Sequence, residues 1–575
     1  MNLYTKKDIE LLEQNYDKIA DKIQTVVHEK FEPTKKEMDE VTKLIMKFVQ
    51  NKKRKIYGGF ALNLLLLDTN PADAIYKGKE DPDIDFYSPE PIEDVIELCN
   101  ILFDAGYKYV IGNEGLHKET YKIFVNFQPY VDISYINKHL YNRLPYKEIK
   151  GTYLIHPMFM MIDYFRVFTD PIFSFWRLAG GKALKRYQLL QKNFPFPINK
   201  KPLAFPYLSS TKDKTLVSDP NYKSLLSEVE SLIQNNSSIM VSGNYAYNYY
   251  LKSSMILDND NDKNKIFNLL RIDDYEITTD KFADISTNFL KKLKEKYANI
   301  WSDIKTVEYY PFTQFWGHNI QFLYKDKPFL RIFDNYHRYL PYKKLGFIDF
   351  RSDSLQKSDN KTIQLATFNV TLMMGLMYII YYRTNQNKDM VDQYYILCGH
   401  LMQIKKYFLD KFNKSIFDKT PFEDFTVECI GNGVTPDRER RVMCEEKRKL
   451  KKPCLFVYNP NTKKITAESN YKFANTSGNA VRKEQNVKIS LDKKPEQKNT
   501  SDAEQQVDEE DDDVETKANN TKQSNKKRAN KRQNNSVLNA EITDSDVYNA
   551  YMSNYDHDNY LDDIISNLST YNIPI

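Results

Sequence analysis

For a chain of 575 residues this sequence is short of glycine and cysteine, with 17 of the first and 5 of the second. The cysteines, Cys99, Cys398, Cys429, Cys444 and Cys454, show no Cys-x-x-Cys spacing, which argues against structural zinc. Scattered thiols in odd number suit a reducing compartment, and Cys99 falls on the apolar face of an expected helix, as a core residue would. A long hydrophobic run is also missing. The most apolar window, Phe368 to Tyr382, is shorter than the ~20 residues a membrane-spanning helix needs. A buried helix is expected there, and no membrane association. The N-terminus, Met-Asn-Leu-Tyr-Thr-Lys-Lys-Asp, lacks the apolar run of a signal peptide.

What is present describes a soluble protein with polar extensions: 41% hydrophobic residues and a mean hydropathy of −0.63. The length allows two or three domains with substantial cores. Tyr (42) and Phe (33) are high, and with abundant Asn, Lys and Ile they suggest an A+T-rich coding genome. The net charge of +5 understates the basicity of the body, because seven of the eight residues from Asp508 to Glu515 are acidic. A basic body beside an acidic tail points to a polyanionic partner such as RNA.

Three aspartates carry the chemistry. Asp83 and Asp85 stand in Asp-Pro-Asp-Ile-Asp-Phe, and Asp132 in Tyr-Val-Asp-Ile-Ser. Residues i and i+2 of a strand share a face, so Asp83 and Asp85 project together while Ile84 and Phe86 face the core. Val131 and Ile133 flank Asp132 in the same way, as on a neighbouring strand. Asp81 has the spacing to replace either member of the pair, but the apolar alternation after it favours Asp83 and Asp85. Three carboxylates on one sheet face repel one another without a cation, and paired Mg²⁺ ions ~3.5–4 Å apart are the usual solution. Upstream, Gly58-Gly59 joins an expected strand (Lys53 to Tyr57) to an expected helix (Phe60 to Leu67). Glycines there let the backbone approach a ligand, and the helix N-terminus offers N–H groups to phosphate oxygens. Phosphate-gripping backbone followed by metal-gripping acids implies nucleotidyl transfer.

Tyr-Gly-Gly-Phe-Ala-x-Asn-Leu-Leu, then Asp-Ile-Asp-Phe, then Val-Asp-Ile-Ser resembles the DNA polymerase β-type nucleotidyltransferase superfamily. Within it, the chain most resembles poly(A) polymerase catalytic subunits of large DNA viruses, the mimivirus-like group in particular, over roughly residues 50 to 190. The superfamily often has Gly-Ser where this chain has Gly58-Gly59, so a hydroxyl near the phosphates is absent. The resemblance implies template-independent addition of AMP from ATP to the 3′ ends of single-stranded RNA, with Mg²⁺ or Mn²⁺ as cofactor. Asp83 and Asp85 would bridge two ions and Asp132 would complete the one nearest the attacking hydroxyl. It also implies a homodimer or a processivity partner subunit, and residence in the virion or a viral factory in the host cytoplasm. Similar helices in the superfamily contact the triphosphate. Here that helix carries Arg177, Lys182, Lys185 and Arg186, and Gly180-Gly181 singles out Lys182. Competing readings are a tRNA 3′-end-adding or oligoadenylate-forming enzyme of the same fold, and a non-catalytic RNA-binding scaffold.

The chain also repeats itself. Val-Ser-Gly-Asn-Tyr-Ala-Tyr-Asn-Tyr-Tyr-Leu, ending at Leu251, echoes Ile-Tyr-Gly-Gly-Phe-Ala-Leu-Asn-Leu-Leu-Leu, ending at Leu66. Asp274-Tyr275-Glu276 stands for Asp83-Ile84-Asp85, and a Leu-Pro-Tyr-Lys landmark follows in both halves. Leu330-Arg331-Ile332 falls near the place of Val131-Asp132-Ile133, so an arginine replaces the third acid and opposes metal binding there. The expected fold is α/β: tandem nucleotidyltransferase-like folds with mixed sheets flanked by helices, the second degenerate. A helical N-terminus (1–50) precedes the catalytic domain (51–195) and the degenerate domain (196–475). A charged linker (476–544), too poor in apolar residues to order itself, and a tail with a short amphipathic helix (545–575) complete the chain. Helix signals include Thr34 ahead of Glu37 and Pro91 ahead of an apolar face ending at Gly106, while Tyr121 to Tyr135 reads as strand.

Overall fold

The helix signals at the N-terminus act as written. Thr5 and Asp8 form a reciprocal capping box at the start of the helix Lys6–Lys30, and the Thr34 hydroxyl accepts from the Glu37 amide to start Lys35–Asn51. The second of these helices buries Val41, Ile45, Phe48 and Val49; the first buries none of its described side chains. These elements come from a computed structural model that describes residues 3–465, apart from 32, 77–81, 118, 199–200, 206–217, 259–265, 310, 313–315, 336–337, 352–356, 432, 434 and 453. Asp81, the charged linker and the expected tail helix lie outside the described residues.

Two mixed sheets follow. The first contains β1 (Lys55–Ile56), β2 (Ile84–Ser88), β3 (Val110–Glu114), β4 (Thr120–Val125), β5 (Gln128–Tyr135), β6 (Tyr146–Ile149) and β7 (Thr152–Ile155). The second contains β8 (Ile239–Ser242), β9 (Tyr275–Thr279), β10 (Ile304–Tyr309), β11 (Asn319–Tyr324), β12 (Lys327–Asp334), β13 (Leu340–Ile348), β14 (Lys357–Ala366) and the short β15 (Cys429–Ile430). The strand order β3-β4-β5-β2-β1-β7-β6 of the first recurs in the second as β10-β11-β12-β9-β8-β14-β13. Even the turns match. Asn126 and Phe127 join β4 to β5 with positive φ, and Lys325 and Asp326 join β11 to β12 in the same way. The stretch Tyr121 to Tyr135 is therefore a hairpin rather than one strand, a turn that no Gly announces because Asn and a strained neighbour supply the left-handed pair. The expected tandem duplication of an α/β fold is present.

Helices fill the faces. Pro91–Asp104 lays Val95, Leu98, Cys99 and Leu102 on the first sheet. The apolar window near residue 370 forms the helix Phe368–Thr384, buried almost throughout, and no described helix is long and apolar enough to cross a membrane.

Two features depart from the sequence reading. The chain returns to the first sheet late: β16 (Val457–Asn459) pairs antiparallel with β3, and β17 (Lys464–Ile465) pairs with β16. These residues lie within the span expected for the second domain, yet they extend the first sheet. Cys444 and Cys454, which no sequence spacing pairs, are brought together with a Cα separation of 4.8 Å. Their spacing of ten residues gives no local cue; a turn after a helix brings them together.

Candidate active site

β2 and β5 run parallel in a register that sets Asp85 directly beside Asp132, with Asp83 just ahead of β2. Ile84, Phe86, Val131 and Ile133 point the other way and are buried, so the alternation fixes which face carries acid. Carboxylate oxygens of Asp83, Asp85 and Asp132 lie within 4.8 Å of one another, the one such acid, His or Cys group among the described residues. Burial, then the charges of Asp83 and Asp132, hold the Asp85 carboxyl well above its ordinary range, and burial raises Asp132 as well. One Asp132 oxygen is buried without a hydrogen-bond partner. An all-oxygen cluster of three crowded acids with an unsatisfied oxygen fits a hard divalent cation.

One cation of the protein already faces this cluster. Lys122 on β4 is paired across the sheet with Asp132, its Nζ 3.0 Å from Oδ2, and both side chains are mostly shielded from water. Nothing in the sequence singled out Lys122. Its role depends on β4 pairing with β5, and the sequence reading ran those two strands together.

The glycine pair sits at the acids. Gly58 (φ +71°) and Gly59 form the first turn of the helix Gly58–Thr69, two residues earlier than expected, and no side chain caps its N–H groups. A Cβ on Gly58 would run into the Asp85 carboxylate, and one on Gly59 into the Arg186 guanidinium and the Tyr76 hydroxyl. At Gly58 the positive φ and the carboxylate together favour glycine, and at Gly59 a side chain would displace the guanidinium and the hydroxyl. Arg186 donates to Tyr76 Oη at 2.7 Å, keeps a buried Nε without a partner, and contributes positive charge to Asp85. Lys182, four residues earlier in Lys182–Asn193, is exposed at the first turn of that helix. Of the basic cluster, Arg186 is therefore the residue brought to the glycines and acids. Arg177 instead shares Asp163 with Arg166, at 3.5 and 2.8 Å. Tyr57 stacks on Tyr87 at 4.2 Å and bonds Ser134 at 2.8 Å, walling the site beside Asp85.

The same geometry in the second repeat has lost its third acid. Gly243 (φ +63°) starts the helix Gly243–Ser253, and a Cβ there would meet Glu276 at 2.6 Å, as at Gly58 and Asp85. Glu276 is in register with Arg331 on β12, the position of Asp132 on β5. Arg331 is 8% exposed and donates to Tyr378 Oη at 3.1 Å, and Tyr378 Oη donates to Glu276. A fixed guanidinium fills the space where the first repeat gathers three acids.

A mixed sheet with a glycine turn at a helix start, an Asp-x-Asp edge and a third aspartate on the adjacent parallel strand defines a nucleotidyltransferase, here a tandem one with a single acid triad among the described residues. Residues 43–174 match the family model described as "Poly(A) polymerase catalytic subunit", and residues 220–494 the model "APMV, Putative poly(A) polymerase, catalytic subunit, C-terminal". The chain is 32% identical over 508 residues to the "Putative poly(A) polymerase catalytic subunit" of Acanthamoeba polyphaga mimivirus, covering 83% of each. A protein of the same description from African swine fever virus is 29% identical over 181 residues, 30% of this chain and 37% of that one. The crystal structure of the Megavirus polyadenylate synthase superposes with a TM-score of 0.69 at 30% identity, over 80% of this chain and 87% of that one. The chain belongs to the poly(A) polymerase catalytic subunit family of giant viruses and is a polynucleotide adenylyltransferase.

Proposed function

We propose that the first repeat binds two Mg²⁺ (or Mn²⁺) ions through Asp83, Asp85 and Asp132 and uses them to add AMP from ATP to the 3′ end of single-stranded RNA. The observation that carries this reading is the convergence of the three carboxylates to within 4.8 Å beside the Gly58 turn. Bound there, such ions would lower the pKa of the RNA 3′-hydroxyl and offset charge on the departing pyrophosphate. The protein's own groups do the rest by position and fixed charge. The free N–H groups of Gly58 and Gly59 meet the triphosphate oxygens, and the orphaned Arg186 Nε supplies a further donor. The Tyr57–Tyr87 stack limits water beside Asp85.

Self-association also belongs to this reading. Ile9, Leu12, Tyr16, Ile19, Ile23 and Val26 of the first helix are all exposed and alternate at three and four residues, the spacing of a coiled-coil seam. A second copy of the same helix would cover them, giving a homodimer with a longer product-holding surface than one cleft offers. As a viral RNA-modifying enzyme of this kind, the protein would work in the viral factory or be packaged in the virion.

The test is incubation of the full chain with RNA, Mg²⁺ and each NTP separately. Long tails with ATP alone are expected, and incorporation that stops after a few mixed nucleotides would reject adenylate selectivity. Asp132→Asn should abolish extension and leave RNA binding in place; a variant that still makes tails would remove Asp132 from the triad.

A further inference from the structure

The helix Pro436–Lys449 has no role in the chemistry above, yet it is fastened to the connection between β3 and β4, the strand that carries Lys122. The Arg440 guanidinium donates to the carbonyl oxygens of Gly115 and Leu116, between β3 and β4, and lies 3.7 Å from Glu114. Beyond the helix, Phe456 packs edge-on against Tyr121 of β4 at 5.7 Å, and the Glu114 amide donates to its carbonyl at 3.0 Å. Tyr458 then donates to Asn100 at 2.6 Å as β16 joins β3. The strand on which Tyr121 sits carries Lys122, next to Asp132.

This helix has two unlike sides. At about 100° per residue, Arg440, Met443, Cys444 and Lys447 share the half-buried side toward the first sheet. Arg438, Arg441, Arg448 and Lys449 share an arc of about 100° on the other side, with Glu445 the one acid among them. All four cations are exposed, and their charged groups meet no ion-pair partner among the described residues. Glu445 is four residues from both Arg441 and Lys449, an ideal spacing for helical pairs, but no such pair forms among the described residues. The arc contains no aromatic side chain, so it offers charge to a backbone without a platform for bases. From Arg438 to Lys449 it runs about 17 Å, on a helix held to its surroundings through Arg440 and Lys447.

We propose that this stripe is a phosphate-binding track for the backbone of single-stranded RNA next to the active site, reading charge and not sequence. The inference rests on the reading of RNA as the substrate. A solvated charge run would serve as well for solubility on any exposed helix. The anchoring at the β3–β4 connection and the lack of ion pairs for the four cations of the stripe among the described residues favour a polyanion that arrives there.

The test is fluorescence anisotropy of the full chain with a single-stranded RNA oligonucleotide of mixed sequence over a KCl series. The triple variant Arg438→Gln, Arg441→Gln, Arg448→Gln changes side chains with no hydrogen bond or ion pair among the described residues, and an unchanged melting temperature verifies its fold. Each phosphate contact on a single strand contributes about 0.7 to the slope of log affinity against log salt, so the variant's slope should be shallower by about 2. Its tails on a long RNA should be shorter, while AMP addition to a trinucleotide primer, too short to reach the track, stays within about twofold. Equal slopes and affinities for variant and unmodified protein would overturn the inference. If the unmodified protein neither binds RNA nor extends it with ATP, the RNA reading fails, and this inference with it.

Discussion

Replacing Lys122 by methionine separates the protein's own neutralising charge from that of a metal. Lys122 and Asp132 approach to 3.0 Å with side chains 21% and 18% exposed, so their pairing is neither a surface ion pair nor a fully buried one. Surface pairs contribute ~0–1 kcal/mol, and removing one partner of a buried pair costs ~3–5. An intermediate loss of about 2 kcal/mol follows from this partial exposure. The loss has a second source in that Asp83, Asp85 and Asp132 would then crowd with less positive charge between β2, β4 and β5. For a domain of this size about 2 kcal/mol lowers the melting temperature by roughly 4–8 °C. That fall is expected in EDTA, read by differential scanning fluorimetry. With Mg²⁺ at about 100 times its dissociation constant, binding adds about 2.7 kcal/mol to the folded state. A bound cation takes over the neutralisation that Lys122 provides, so the variant should gain more from Mg²⁺ than the unmodified protein, and most of the difference should vanish. The same melting-temperature loss with and without Mg²⁺ would refute the argument, because Lys122 would then be a packing residue unconnected to the metal site.

Three further outcomes follow from the same geometry. Gly58→Ala should lose nucleotide addition by at least about a hundredfold and destabilise by about 1–3 kcal/mol, because its Cβ meets Asp85 at a φ of +71°; near-normal turnover would show that the turn can relax. Arg186→Met should raise the KM for ATP while Lys182→Met changes it little, and the reverse result would restore Lys182 as the triphosphate contact. In the second repeat, burial and then the charges of Glu276 and Asp273 raise the Asp274 carboxyl to about 7. An acid whose folded pKa lies above its unfolded value loses stability as pH rises from about 4 through about 7. Asp274→Asn should therefore raise the melting temperature at pH 8 and give no gain at pH 4. A gain that is independent of pH would point to packing instead.

The sequence by itself determined what is local or periodic. Strand alternation placed Asp83, Asp85 and Asp132 on one face, because a two-residue period leaves an acid no other side of a sheet whose far face is Ile84, Phe86, Val131 and Ile133. The internal echo located Arg331 opposite Glu276, and the duplication followed because a shared chain order through the same landmarks gives the same strand order. Pro91, Thr34 and the apolar window at 368–382 marked helices for reasons that lie within a few residues. Tertiary structure alone decided which side chains from distant segments meet. Lys122 reaches Asp132 through a hairpin turned by Asn126 and Phe127, a pair with no glycine to mark it. Arg186 rather than Lys182 reaches the glycines, because the choice between neighbours four residues apart depends on how that helix lies against Gly58–Thr69. The return of β16 to β3, which carries a basic helix to the β3–β4 connection, is a pairing across more than 340 residues. Such a pairing leaves no periodic trace in the chain, since the free energy that selects it comes from the sheet edge it covers and not from the residues beside it in sequence.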